Sequence, residues 1–148
     1  MTKKNPKRTP SREAEAYLGL VRTADVMLRQ VDRVLKPYGL TSTQYNVLRI
    51  LRGAGEGVTC STIGERLVTE DPDVTRLLDR MEKAELIERS RSAADRRVVL
   101  TSLTKRGEEL LAKLDPEIEG LHATQFDGVP KKSIDALIAQ LETLRSKS

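Results

Sequence analysis

The sequence predicts a mainly α-helical protein with one small β-hairpin. Apolar residues recur three and four positions apart through most of the chain, which is typical of helices that bury one face. Aromatic residues make up only 3% of the 148 residues, fewer than a β-sandwich or barrel core normally contains. Only residues 86–90 and 97–102 have the pattern of strands, and the residues between them are polar, small or basic. The length is that of one domain.

The first predicted helix, residues 13–36, carries two adjacent apolar stripes. One stripe contains Leu20, Ala24, Met27, Val31 and Val34, and the other contains Tyr17, Val21, Leu28 and Leu35. Two stripes indicate that the helix packs on its own domain and on a second surface, such as another subunit. Pro37 and Gly39 are expected to end the helix and turn the chain.

Residues 1–12 form a basic segment before this helix. They contain five Lys or Arg residues and two prolines, with nothing apolar beyond Met1. This composition predicts a disordered basic arm, which is either a solvated tail or an arm that contacts phosphate groups. The net charge of +4 for the whole chain favours an anionic partner only weakly.

Three more helices are expected before the hairpin. Thr41 or Ser42 can cap the first, and the glycine-rich residues 53–57 form a connection rather than a phosphate-binding loop. Thr59 begins a short second helix. The third is expected over residues 72–83, because Asp71 is a good N-cap and Pro72 suits the first helical position.

Two amphipathic helices follow the hairpin. Thr104 is expected to cap a long helix that runs to about Gln125, and Pro116 should kink it or begin a new turn. Residues 131–145 form the last helix. Its apolar positions are Ile134, Leu137, Ile138, Leu141 and Leu144.

The helix over residues 72–83 has one apolar face and one face of polar and charged residues. The apolar face contains Val74, Leu77, Leu78 and Met81, and the polar face contains Asp73, Thr75, Arg76, Asp79, Arg80 and Lys83. A helix can enter the major groove of DNA only if a long face is free of core contacts and carries hydrogen-bond donors. Arg76 and Arg80, one turn apart, meet this requirement.

The hairpin beside that helix carries arginines near its tip. Arg91, Arg96 and Arg97 can reach an adjacent minor groove, where narrow A·T-rich stretches concentrate negative potential. Residues 41–102 are therefore interpreted as a winged helix-turn-helix that binds DNA. The alternative interpretation is a solvated charged helix face next to a purely structural hairpin.

Four ordered motifs resemble those of the MarR (multiple antibiotic resistance regulator) family. They are Val74-Thr-Arg-Leu-Leu-Asp-Arg-Met81, Leu86-Ile-Glu-Arg89, Asp95-Arg-Arg97 and Leu103-Thr-Lys-Arg-Gly107. In that family a recognition helix ending in DRL precedes a short strand, a wing with DRR, and LTxxG at the start of a long helix. Each motif alone is weak, but the set matches in order and spacing, and the flanking helices fit from about residue 13.

The resemblance implies a homodimer that binds a pseudo-palindromic operator in double-stranded DNA. The fold would be a winged helix-turn-helix with a helical dimerisation lobe. Residues 41–102 would form the DNA-binding lobe, and residues 13–40 and 103–148 the dimerisation lobe. Such a regulator is typically a repressor that a small ligand releases from DNA.

The resemblance also implies roles for single residues. Asp95 would pair with a wing arginine and hold the wing in shape, while Arg96 or Arg97 enters the minor groove. Thr41, Ser42 or Thr43, at a helix N-terminus, would contact phosphate. The ligand would be a small aromatic or anionic molecule bound between the lobes. Arg22, Tyr38 and Tyr45 could line that place.

This chain departs from the family pattern in two places. The family usually has Gly where this chain has Ala84 or Glu85, so the turn there needs a strained residue or a different construction. Acidic residues also open the recognition helix. Asp73 is expected either to complement the helix dipole or to accept a hydrogen bond from a cytosine amino group.

Other functional classes find little support in the sequence. One cysteine and one histidine are too few for a nucleophile, a base and an orienting group, so we expect neither an enzyme nor a cofactor. Cys60 is interpreted as an ordinary thiol rather than an oxidant sensor, and His122 as an ordinary histidine rather than a metal ligand. The remaining alternative is a winged-helix module that binds a protein partner instead of an operator.

The sequence also predicts where the protein works. No apolar run approaches the roughly 18–20 residues that span a bilayer, and no apolar stretch follows the basic N-terminus as in a secretory signal. A single cysteine excludes an internal disulfide. We therefore expect a cytoplasmic protein without membrane contact.

Overall fold

The computed structural model describes residues 8–147. Six α-helices and a two-stranded antiparallel sheet form in this part of the chain. In chain order they are α1 (Arg12–Leu35), α2 (Ser42–Ala54), α3 (Cys60–Arg66), α4 (Val74–Lys83), β1 (Ile87–Arg91), β2 (Val99–Leu103), α5 (Lys105–Gln125) and α6 (Lys131–Arg145). The mainly helical fold with a hairpin is confirmed. Most of the predicted basic arm, residues 1–7, lies outside the described residues.

Side-chain caps begin most of the helices, as the sequence indicates for three of them. The Thr41 hydroxyl accepts a hydrogen bond from the Gln44 amide, and the Gln44 side chain accepts one from the Thr41 amide. At the starts of α3 and α5, the Thr59 and Thr104 hydroxyls accept hydrogen bonds from the Thr62 and Gly107 amides. These caps satisfy amide groups that a helix start leaves unpaired, which explains why the predicted starts are accurate.

One hydrophobic core joins α2, α3, α4, β1 and the first two thirds of α5. It extends to Leu35 at the end of α1 and to Ile118 in α5. The proposed lobe boundaries at residues 40/41 and 102/103 therefore cross a continuous core. Among the described residues, α6 has none that is buried, and α1 has only Leu35.

The hairpin pairs Ile87 with Leu103 at its base and Arg91 with Val99 near its tip. Both strands begin later than predicted, at residues 87 and 99 rather than 86 and 97. The Val98 amide donates to the Asp95 carbonyl, and this turn delays β2. A short bridge from Val58 to the buried Thr101 adds a third segment beside β2. The sequence does not indicate this pairing, because it joins residues that are far apart in the chain.

Glu85 occupies the left-handed region at the end of α4, with φ of 60°. The Glu85 amide donates to the Glu82 carbonyl, and the Leu86 amide donates to the Met81 carbonyl. This pair of bonds ends many helices and usually places glycine at the left-handed position. The sequence left two alternatives for this turn, a strained non-glycine residue or a different construction, and the structure has the first of them, at Glu85.

We expect Glu85→Gly to stabilise the protein by about 1 kcal/mol, because glycine adopts this conformation without the clash of a Cβ atom. The Glu85–Arg106 contact that it removes spans 3.5 Å between exposed side chains, and such pairs contribute little. Thermal unfolding followed by circular dichroism measures the change.

Ala84→Gly is the matched control for Glu85→Gly. Ala84 lies one position earlier with φ of −78°, so glycine there adds freedom to the unfolded chain without relieving strain. It should lower the melting temperature. A lower melting temperature for Glu85→Gly as well would show that its side-chain contacts outweigh the strain.

Helix α5 continues through Pro116, so no new helix begins there. Neighbouring side chains attach this turn to the rest of the fold. Asp115 accepts two hydrogen bonds from Arg52 at 2.7 and 3.0 Å, and Glu117 accepts one from the Tyr38 hydroxyl. These contacts on both sides of Pro116 tie the helix to α2 and to the turn after α1. The Arg52 guanidinium also lowers the pKa of Asp115.

Candidate nucleic-acid interface

Helix α4 divides its side chains between the core and solvent as the sequence predicts. Leu77, Leu78 and Met81 are buried. Arg76 and Arg80 are exposed and follow each other by one turn, and Thr75 and Asp79 are exposed beside them. The helix therefore presents two guanidinium groups on a face that the fold does not use for packing. Such a face can donate hydrogen bonds to base edges and phosphates.

The start of α4 differs from the prediction. The helix begins at Val74, and Asp73, not Asp71, is its N-cap: the Asp73 carboxylate accepts from the Arg76 amide at 3.0 Å. Asp71 instead accepts from the Asp73 amide at 2.8 Å. This local turn holds Asp71 and Pro72 outside the helix. The predicted helix start at residue 72 was therefore wrong. Asp73 caps the helix, a role that the sequence analysis did not give it beside the helix dipole and the cytosine amino group.

Arg89 of β1 binds two carboxylates of α4. Its guanidinium donates to Glu82 at 3.0 and 3.1 Å and to Asp79 at 2.6 Å. These hydrogen bonds lower the pKa of Glu82 and raise that of Arg89. Asp79 is a predicted DNA contact, yet its carboxylate is already engaged with Arg89. Sequence reasoning missed this arrangement, because only the fold brings β1 beside α4.

The wing tip, residues 92–98, is held by short polar contacts. Arg91 Nη1 donates to the Arg96 carbonyl at 2.8 Å. Asp95 Oδ1 accepts from the Arg97 amide at 3.0 Å and lies 3.4 Å from Arg97 Nε. The arginine within reach of Asp95 is therefore Arg97, whose side chain is 93% exposed. Arg96 is also exposed.

The three hydroxyl residues at the start of α2 have different surroundings. Thr41 is exposed, and its hydroxyl caps the helix. Ser42 is half-buried and donates to Asp32 of α1. Thr43 is half-buried and lines a cavity together with Ser42. Of the three predicted phosphate contacts, Thr41 is the exposed one.

That cavity, of about 200 Å³, opens between α1, α2, α5 and the segment before α4. It has an apolar wall and a few polar groups. Its lining residues are Leu28, Val31, Ser42, Thr43, Tyr45, Asn46, Arg49, Val68, Thr69, Ile118 and His122. The guanidinium of Arg49 lies 5.9 Å from the centre of the Tyr45 ring. Burial raises the pKa of the Tyr45 hydroxyl, so this group stays neutral.

The three residues expected to line a ligand site do not line one common cavity. Tyr45 lines the cavity, but Tyr38 lies in the turn after α1 and donates to Glu117, which raises the Tyr38 pKa. Arg22 is an exposed residue of α1 outside the lining of this cavity. Sequence reasoning missed Arg49, although it follows Tyr45 by one helical turn.

Cys60 and His122 have ordinary surroundings. Cys60 is half-buried at the start of α3, with its sulfur 3.9 Å from the Thr75 hydroxyl oxygen. The Nδ1 atom of His122 lies 2.9 Å from the Gln125 side-chain oxygen. Within residues 8–147, no group of three or more His, Cys, Asp or Glu side chains could hold a metal ion. No helix in this part of the chain has the length and apolar character to cross a membrane.

Residues 40–99 match the family model described as the MarR family. The chain is 27% identical over 111 residues to the HTH-type transcriptional regulator FarR of Neisseria gonorrhoeae, and the match covers 75% of each protein.

Solved structures give the same result. The MarR transcription factor of Planctomyces limnophilus is 36% identical, with a TM-score of 0.69, and the match covers 92% of this chain and 99% of that protein. BpsR of Bordetella bronchiseptica, whose DNA binding is regulated by 6-hydroxynicotinic acid, has a TM-score of 0.78 and 23% identity. That match covers 88% of this chain and 98% of BpsR, and it shows the shared fold. The members of this family are transcription regulators and not enzymes. The chain belongs to the MarR family of transcriptional regulators.

Proposed function

We propose that the protein is a homodimeric repressor that binds a pseudo-palindromic operator in double-stranded DNA. The observation that carries this proposal is the exposed pair Arg76 and Arg80 on a helix whose other face is buried. Exposed arginines in the wing can add contacts in the adjacent minor groove. In this proposal α4 reads bases, and Arg91, Arg96 and Arg97 contact the flanking groove.

The dimerisation lobe comprises residues 13–40 and 103–148, and residues 41–102 form the DNA-binding lobe. The support comes from apolar side chains that the single chain leaves in solvent. In α1, Tyr17 is 65% exposed, and in α6 Ile138 and Leu144 are each 51% exposed. Apolar patches of this kind mark association surfaces. A dimer buries them and sets two α4 helices at the spacing of two half-sites.

A small aromatic anion is the proposed effector. The cavity beside Tyr45 is apolar enough to hold a ring, and Arg49 can balance a carboxylate. BpsR supports this class, because 6-hydroxynicotinic acid is a small aromatic acid. Ser42 and Thr43 join the cavity to the N-terminus of α2, so a bound ligand can displace the DNA-binding lobe relative to α1.

A mobility-shift assay at two salt concentrations tests the proposal. An operator-binding dimer should bind an inverted repeat that it selects from a random pool of double-stranded DNA. Its affinity should fall on the order of 10³-fold between roughly 50 and 200 mM salt, since each phosphate contact releases counterions. Absence of DNA binding at both concentrations would favour the protein-interaction module.

Sedimentation equilibrium tests the dimer independently of DNA. The full chain should have twice its 16.5 kDa mass at micromolar concentration. Removal of residues 131–148 deletes α6 and should give monomers or aggregates. A well-behaved monomer of the intact chain would contradict the proposed lobe.

We expect Asp95→Ala to weaken operator binding by about threefold to tenfold, although it removes a negative charge near phosphate. Asp95 lies beside Arg97, and its loss frees that side chain and the turn at the wing tip. Simple charge counting predicts the opposite sign, because one repulsive group disappears. Titration of both proteins against one operator duplex decides between the two.

Arg96→Ala and Arg97→Ala provide the matched comparison for Asp95→Ala. In the Arg97→Ala background, Asp95→Ala should be nearly silent, whereas in the Arg96→Ala background it should keep its effect. Tighter binding by Asp95→Ala would leave the wing as a non-specific basic contact.

A further inference from the structure

Arg89 connects the wing to α4 through three hydrogen bonds. Its Nε and Nη2 atoms donate to the two oxygens of Glu82 at 3.1 and 3.0 Å, and Nη2 also donates to Asp79 at 2.6 Å. Two parallel bonds to one carboxylate fix the plane of the guanidinium as well as its position. The Arg89 side chain is only 24% exposed, so these contacts are partly shielded from water.

Both ends of this connection lie in regular secondary structure, α4 and β1. Asp79 and Glu82 are three residues apart in α4, so their side chains lie on the same side of the helix. Arg89 pairs in the sheet with Thr101, which is 1% exposed. The hydrogen bonds to Glu82 and Asp79 also raise the pKa of Arg89.

The same strand continues into the arginines of the wing tip. Two residues after Arg89, Arg91 donates to the Arg96 carbonyl at 2.8 Å. Asp95 then contacts Arg97. An unbroken series of polar contacts and sheet pairing therefore leads from the exposed face of α4 to the tip of the hairpin.

We propose that Arg89 is a positioning residue for DNA recognition, which holds the wing at the distance from α4 at which the major-groove and minor-groove contacts form together. This inference rests on the proposed operator binding. A two-stranded hairpin alone is only marginally stable in water, so a free wing would lose conformational entropy on binding. Anchored to Asp79 and Glu82, the wing is ordered before DNA arrives.

A simpler role for Arg89 is charge neutralisation of Asp79 and Glu82, which would otherwise repel phosphate. Arg89→Lys separates the two roles, since lysine keeps the charge but lacks the planar fork that binds a carboxylate with two bonds. A neutralising role predicts unchanged binding by Arg89→Lys. A positioning role predicts weaker DNA binding by Arg89→Lys. It also predicts that the wing arginines contribute less to DNA affinity in this variant.

The decisive measurement is the effect of Arg97→Ala in two backgrounds. The probe is the duplex that the wild-type protein selects from a random pool of double-stranded DNA. With Arg89 present, Arg97→Ala should weaken binding about tenfold; with Arg89→Lys, the same change should weaken it less than about threefold. Equal effects in both backgrounds would overturn the proposal, as would unchanged binding by Arg89→Lys alone.

Further variants separate positioning from damage to the fold. Glu82→Gln removes the charged partner of the fork without changing its size, and it should reduce the Arg97→Ala effect in the same way. Glu88→Gln alters the exposed neighbour on β1 and should leave that effect at its wild-type size. Far-UV circular dichroism and melting temperature establish that each variant is folded. If the wild-type protein selects no duplex, the proposed operator binding fails, and not only the role of Arg89.

Discussion

Gly107→Ala is expected to destabilise the protein by about 3 kcal/mol or more, a large part of the 5–15 kcal/mol that holds a typical domain folded. Gly107 lies in the first turn of α5. A Cβ atom there would lie 2.3 Å from the Leu86 carbonyl oxygen and 3.1 Å from Leu103 Cδ2. No side-chain rotation relieves the first contact, because both atoms are attached to backbone.

Relief of the clash requires α5 to move away from the segment that enters β1. That movement would disrupt the bond from the Thr104 amide to the Leu86 carbonyl, at 3.2 Å, and the Thr104 cap on the Gly107 amide. Leu86 is also part of the core, with 6% exposure. The expected loss therefore combines steric strain, a lost helix cap and a disturbed core.

Urea denaturation measures the effect as a shift of the midpoint. Gly53→Ala in α2 is the matched control, because nothing lies within 4 Å of its added Cβ atom. Alanine favours the helix there and should raise stability by up to about 1 kcal/mol. A small change for Gly107→Ala would mean that α5 and β1 can separate without loss of packing.

Arg76→Ala and Arg80→Ala should each weaken operator binding by about 1–3 kcal/mol if the two side chains contact bases. The difference in affinity between the operator and mutated operators should be smaller for both variants than for the wild type. The free energy of unfolding should change by no more than about 0.5 kcal/mol, because both side chains are exposed and opposite the buried face of α4. Fluorescence anisotropy and urea denaturation measure the two quantities on the same protein.

Arg33→Ala is the control for the loss of one positive charge. Arg33 is exposed in the last turn of α1, outside the proposed DNA-binding lobe. It should change operator affinity far less than Arg76→Ala or Arg80→Ala. A loss of stability as large as the loss of affinity would show that α4 does not face DNA in the way proposed.

The candidate interface was only partly predictable from the sequence. The exposure of Arg76 and Arg80 follows from the period of the apolar residues Leu77, Leu78 and Met81, which is a local property. The N-cap of α4 was misplaced because Asp71 and Asp73 are both good caps, and only their hydrogen bonds decide between them. The pairing of Asp95 with a wing arginine was expected, but the choice of Arg97 required the geometry of the tip.

The sequence by itself determined the helical class, the hairpin and most helix starts. Caps such as Thr41 and Thr104 act on amides three residues away, and apolar periodicity acts within one helix, so both can be read along the chain. The sequence also indicated an unusual turn at Ala84 or Glu85, because a helix end commonly requires a left-handed residue and no glycine is present, but only the structure shows that Glu85 adopts that conformation.

Only the tertiary structure decided which distant residues meet. The contacts of Arg89 with Asp79 and Glu82, the bridge from Val58 to Thr101 and the separation of Tyr38 from the Tyr45 cavity all depend on how elements pack. The need for glycine at position 107 has the same origin, since it arises from the approach of the Leu86 backbone. Residue type limits which contacts a side chain can make, but the distance between elements that are remote in the chain is set by packing of the whole core.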